Sequence, residues 1–235
     1  MCAVTISREY GSGGGEIAAR LARRLGWQLV DHELVAQIAA ALDETEEEAR
    51  ARDERVHGFV GRMLGSMQWV SPWLGTEATT PPELEAQRHH EALCRIIKAA
   101  VDVGHAVVVG RGGQAILRGR RDVLHIRIVA PLDARVAYVA RREELSPQAA
   151  EARIRQKDRQ RATYLQNVEH VRPDNPLLYD LVINTGVLSL DDAVDLICLA
   201  LARKGARLTV PAADLGPAAG LPPYPGAPGT PAHLQ

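Results

Sequence analysis

The run Ile6-Ser7-Arg8-Glu9-Tyr10-Gly11-Ser12-Gly13-Gly14-Gly15-Glu16 decides what this chain folds into. Four glycines in five positions separate a short apolar, strand-like stretch, Ala3 to Ile6, from a run with Ile17, Leu21 and Leu25 at i, i+4 and i+8. That second spacing is helical. Arg20, Arg23 and Arg24 face elsewhere, Gly26 ends the helix, and Trp27 to Val30 form a second strand closing on Asp31. Strand, glycine loop, helix and strand make one βαβ unit. A glycine loop in that place suits phosphate, because small residues let backbone N–H groups approach the anion and the helix N-terminus adds its dipole. Gly11, Ser12, Gly13, Gly14, Gly15 and Glu16 are therefore the candidate cradle for the phosphates of a nucleotide.

The loop departs from G-x-x-x-x-G-K-[ST]. With Gly13 as the second glycine, Arg8 stands at the first, Gly14 replaces the lysine, and Gly15-Glu16 follow. No register restores the lysine, since none precedes Lys98. That lysine normally reaches the β- and γ-phosphates and the hydroxyl holds Mg²⁺. Arg8 is the candidate replacement for the charge, and Ser12 and Glu16 are the candidates to approach a metal.

Further along, residues 33–42 read as helical and 43–54 as an acidic, solvated helix face. Met63, Met67, Trp69 and Trp73 form a stripe near the helical period, which fits either core or a lid over a pocket. A long helix runs from Pro82 to Val103 and stops at Gly104. Ala106 to Val109 are wholly apolar, as in a strand buried on both faces. Val123 to Ala130 make another strand, a helix follows Pro131, and Ser146-Pro147 opens the next with a cap and a first-turn proline. Leu181 to Ile183 are the last strand, and Ser189 with Asp192 is close to a capping box. Strands alternating with helices imply a mainly parallel sheet covered on both faces. Residues 208–235, rich in Pro, Ala and Gly, are expected to be a disordered tail after a single domain over 1–207.

The net charge of −1 supplies no field for nucleic acid or an anionic membrane. Only Lys98, Lys157 and Lys204 among the basic residues are lysines. The arginine excess suits bidentate grip on phosphate, and high-GC codon usage gives the same skew. Cys2, Cys94 and Cys198 are scattered and odd in number, which points to a reducing compartment and away from disulfides or zinc. His32, His57, His89, His90, His105, His125 and His170 show no metal-binding spacing and read as surface or packing residues. No basic leader and no stretch of about 18 apolar residues is present, so a cytoplasmic location is expected.

Ile6 to Gly14 closely resembles the opening of the cytidylate kinase-like family. Val109-Gly110-Arg111-Gly112 resembles that family's Gly-Arg motif after the third strand. Lys157-Asp158-Arg159-Gln160-Arg161-Ala162 is similar to its lid-side D-R-x-R segment, and Leu178 to Thr185 to its last strand. The resemblance runs from about Ala3 to Leu201 and implies a P-loop kinase-like three-layer α/β sandwich. It also implies a helical acceptor-site insertion over about 43–95 and lid-like helices over about 141–165. With the fold come ATP and Mg²⁺ as cofactors, and CMP or dCMP as small-molecule acceptors.

Arg111, just past a buried strand's carboxyl end, has a fork that fits an acceptor's phosphate. Arg141, Arg142, Lys157, Asp158, Arg159 and Arg161 bracket a helical hairpin, read either as a lid or as a salt-laced surface helix. Within it Asp158 orients Arg161 at i+3. Arg8, Arg111, Asp158 and Arg161 are the candidate catalytic residues. Arg141, Arg142 and Lys157 are candidates for the nucleotide, and Asp31, Arg111 and Arg159 for the acceptor, with Asp31 alternatively a helix cap. Three functions compete: a cytidylate-type kinase, a nucleotide-binding module without turnover, and a kinase for another small acceptor.

Overall fold

The computed structural model describes residues 1–35, 38, 82–211 and 214–216. The chain order is β1 (Ala3–Arg8), α1 (Gly14–Leu25), β2 (Gln28–Val30), α2 (Pro82–Val103), β3 (Ala106–Val109), α3 (Gly113–Ile116), β4 (Val123–Val129), α4 (Leu132–Arg142), α5 (Pro147–Glu169), a 3₁₀ turn (Pro176–Leu178), β5 (Leu181–Asn184) and α6 (Leu190–Gly205). Most of the expected insertion, the Met63 to Trp73 stripe and the tail from 217 onward lie outside the described residues.

The five strands are parallel in the order β2-β3-β1-β4-β5. Alternation along the central strands sends their side chains to opposite faces. Val4, Ile6, Val107 and Ile126 pack under α1 and α6, while Ala3, Ala106, Val108 and Val123 pack under α2. Ile17 and Leu21, the stripe legible in the sequence, are fully buried in the first of these cores. Truncating Leu21 to alanine there costs about 2–5 kcal/mol by the usual large-to-small penalty. On the outer side of the same helix Arg20 and Arg24 pair with Asp191 and Asp195 of α6.

The helix ends follow their local chemistry. Ser146 accepts the Ala149 N–H with Pro147 behind it, and Ser189 with Asp192 forms a full capping box. α4 and α5 make an antiparallel hairpin with a small core of its own around Val139, Ala150 and Ile154. That hairpin stands over the carboxyl ends of β1, β3 and β4, where open α/β sheets place their ligands. No helix among the described residues is long and apolar enough to cross a membrane.

Candidate functional site

The glycine loop leaves β1 and lies flat on α4. Gly11 has φ +83°, and a Cβ there would come within 2.8 Å of Val139 Cγ2. Gly13, at φ +78°, is the N-cap of α1. Ser12 is almost wholly buried beneath the loop, where its hydroxyl donates to the carbonyls of Glu9 (2.9 Å) and Ile128 (3.2 Å). Thr185 donates to the Ser12 carbonyl from the far side at 2.8 Å. Above the loop, the first N–H groups of α1 have no intrahelical acceptor. They open on a cavity of about 710 Å³ lined by Gly13, Gly14, Gly15 and Glu16, with Asp31, Tyr138 and Arg142 opposite.

Arg8 explains the missing lysine sterically. A Cβ at Gly14 would lie 2.6 Å from Arg8 Cβ and 3.0 Å from its Cγ, so a side chain at 14 and the Arg8 stem compete for one space. The far end of Arg8 crosses Gly110, whose hypothetical Cβ would be 1.8 Å from Nη1. The Arg8 stem thus excludes a side chain at 14, while at 110 glycine is favoured by the φ of +69° and lets the guanidinium lie across the backbone.

Among the described residues no carboxylate pairs with the Arg8 guanidinium. Burial, and then the charges of Arg161 and Arg111, push its pKa down to about 10. Burial also lowers Arg161, partly offset by Asp158. Cations gathered out of water and short of counter-charge are costly unless an anion joins them.

On the other side of Arg8 lies a second cavity, of about 660 Å³, into which Arg111, Arg127, Arg159, Arg161 and Arg172 also converge. Arg111 sits at φ +56°, between Gly110 at +69° and Gly112 at +70°. A non-glycine residue held in that region costs on the order of 1–2 kcal/mol, and such strain collects at ligand sites. A side chain at Gly112 would face the same backbone strain and press on Leu165 at 3.3 Å. Arg127 donates to Ser7 Oγ (3.2 Å) and lies over the Tyr179 ring, 5.7 Å from its centroid. Buried Gln114 completes the wall. Arg8, Glu9 and Arg161 belong to both cavities.

Asp158 binds the hairpin to the loop. It accepts the Tyr10 N–H at 2.8 Å and an Arg135 guanidinium N–H at 2.6 Å, and stands 3.7 Å from Arg161. Arg161 in turn donates to the Arg8 carbonyl at 3.2 Å and lies over the Tyr10 ring. The carboxylate is committed to holding these groups together.

Glu16 accepts the Tyr138 hydroxyl at 2.5 Å and pairs with Arg142. Asp31 both lines the loop cavity and accepts the Leu34 N–H at 3.0 Å as a helix cap. Arg159 lines the arginine cavity, whereas exposed Arg141 and half-buried Lys157 line neither cavity. Sequence reasoning passed over Arg127, Arg172, Gln114, Tyr10 and Arg135. Only Arg127 had a readable signal, as a lone charge between Ile126 and Ile128 in an apolar strand.

The site fits nucleotide phosphate, because helix N–H groups and an uncompensated buried arginine face the loop cavity. It offers Mg²⁺ little from the loop itself, since Ser12 is buried beneath the loop and does not line the cavity, and Glu16 is held by Tyr138 and Arg142.

Comparison with known proteins bears on the family and the fold. The model of the cytidylate kinase-like family matches residues 3–187. A uronate isomerase of Corynebacterium glutamicum is 37% identical over 109 residues, 46% of this chain and 21% of that protein. A cytidylate kinase of Methanopyrus kandleri is 27% identical over 112 residues, 44% of this chain and 58% of that protein. The chain therefore spans less than two thirds of either curated relative. The crystal structure of an uncharacterized protein from Eubacterium ventriosum superposes with a TM-score of 0.59 at 20% identity, covering 86% of this chain and 99% of that one. That likeness concerns the fold.

Proposed function

We propose, since the chain belongs to the cytidylate kinase-like family, that it transfers the γ-phosphoryl group of ATP to a small phosphorylated acceptor, with CMP or dCMP favoured. The observation that carries this reading is the pair of cavities meeting at Arg8 and Arg161. Phosphoryl transfer asks for two anionic groups held in line and donors for the charge on the moving group, with little covalent help. In this reading ATP brings the γ-phosphoryl group to the glycine loop. The N–H groups at the start of α1 hold its phosphates and the α4–α5 hairpin covers them. Arg111, fixed by its backbone turn, grips the acceptor's phosphate with Arg159 beside it. Arg8 and Arg161, lying between the two, neutralise charge on the oxygens in transit, and Asp158 acts as a positioning residue for Arg161. Mg²⁺ in this reading is held by phosphate oxygens and water, as is usual for that ion, with few ligands from the protein.

One observation favours the competing reading of a binding module without turnover: of the loop's two candidate metal ligands, Ser12 lies outside the cavity and Glu16 is held by Tyr138 and Arg142. A coupled ADP-release assay with ATP and Mg²⁺ against CMP, dCMP, UMP, AMP and GMP, with Arg111→Ala as control, separates the two. Turnover with CMP or dCMP that the control loses is the expected result. Nucleotide binding without turnover on any of the five acceptors supports the module, and turnover with a different acceptor overturns the cytidine preference.

A further inference from the structure

Away from both cavities, His90, Cys94 and Glu169 bring three metal-ligating atoms within 4.8 Å of one another. His90 and Cys94 share a face of α2 at i, i+4, and Glu169 is the last residue of α5. His90 Nε2 lies 3.0 Å from Glu169 Oε1 and 3.4 Å from Cys94 Sγ. A tetrahedral ion with bonds of about 2.0 Å to nitrogen and oxygen and 2.3 Å to sulfur spaces such ligands roughly 3.3 and 3.5 Å apart. The two contacts of His90 already stand within a few tenths of an ångström of that arrangement, and the Cys94 and Glu169 donors lie within 4.8 Å of each other. The other ring nitrogen, Nδ1, is 2.9 Å from the Tyr164 hydroxyl. In the metal-bound form Nδ1–H donates to that oxygen, and Nε2, which faces the Glu169 carboxylate in the metal-free chain, turns its lone pair to the ion, which is how a ligating histidine is usually held.

We propose that His90, Cys94 and Glu169 form a binding site for a zinc-type divalent cation that clasps the foot of α5 to α2. The donor set selects the metal, since thiolate with imidazole suits zinc and is foreign to Mg²⁺ or Ca²⁺. Thiolate and carboxylate together cancel the charge of the ion, so a half-buried site carries no net charge. Binding releases the Cys94 thiol proton to solvent, and the fourth position is left to water. Tyr164, which orients His90, also lines the arginine cavity, so the ion fixes one wall of that cavity without touching it.

The test uses the full chain, stripped with a chelator and titrated with Zn²⁺ against a chromogenic zinc competitor in excess Mg²⁺. One equivalent is expected to bind. Cys94→Ser and His90→Gln should weaken binding beyond the roughly 10- to 100-fold that loss of an outer partner costs, and Tyr164→Phe should fall within that range. Cys2→Ser and Cys198→Ser should leave it unchanged. Absence of Zn²⁺ binding, or binding that survives Cys94→Ser, overturns the proposal. Should the Cys94 variant fail to fold, Co²⁺ loading of the unaltered chain decides: a thiolate-to-cobalt charge-transfer band supports the site, and its absence overturns it.

Discussion

The two sides of the glycine loop treat their arginines differently. On the hairpin side Arg135 meets Asp158 and Arg142 meets Glu16. On the cavity side Arg172 meets Asp174 and Arg161 stands 3.7 Å from Asp158, while Arg8, Arg111, Arg127 and Arg159 have no carboxylate partner among the described residues. Charges met within the protein hold the loop against α4 and α5. Charges left unmet lie around the space where phosphate would go. The difference separates arginines that build the site from those that wait for a ligand, which their residue type alone does not do.

The strongest way to break this distinction is to remove Arg8. Arg8→Met keeps the stem's volume and deletes the charge. Turnover should fall by about 10²–10³-fold, the usual cost of losing a donor to a charge in transit, while the urea midpoint stays level or rises. A lower midpoint with activity retained would place Arg8 among the structural arginines. Asp158→Asn should do the reverse in kind. Tyr10 and Arg135 lose an ionised acceptor, and stability should drop by about 1–3 kcal/mol in urea denaturation. Phosphate affinity should suffer less than in Arg8→Met.

Restoring the missing lysine sharpens the steric half of the comparison. Gly14→Lys alone should destabilise by about 1–3 kcal/mol through overpacking against Arg8. Combined with Arg8→Gly, most of that loss should return in the melting temperature. Equal penalties in both backgrounds would show that the two residues do not share a space.

The smallest effect is a pH dependence. With its pKa depressed to about 10, Arg8 is charged at neutral pH and loses its proton as pH rises through that value. The thermal stabilisation given by pyrophosphate should hold from neutral pH upward and decline near 10, with the decline absent in Arg8→Met. In the unliganded protein the sign is opposite. The unfolded chain keeps this proton to higher pH, so the Arg8 contribution to stability improves as pH passes 10.

The five strands, the long helices among the described residues, the glycine loop, a cap at Ser189 and the family were legible in the residues, whereas the short helix Gly113–Ile116 and the 3₁₀ turn Pro176–Leu178 were not. Each legible feature is written in local spacing: a period of two or 3.6, a cap beside its helix, a short motif after a strand. Tertiary structure alone decided the strand order, the mutual exclusion of Arg8 and a side chain at Gly14, and which arginines find a carboxylate. It also brought Glu169 to His90 and Cys94, where the spacing of histidines and cysteines had suggested no metal site. Some of these join residues dozens to more than a hundred positions apart, and even Arg8 and Gly14, six positions apart, meet only because the loop folds back on the strand. Charge neutralisation and steric competition act through space, and no periodicity along the chain records them.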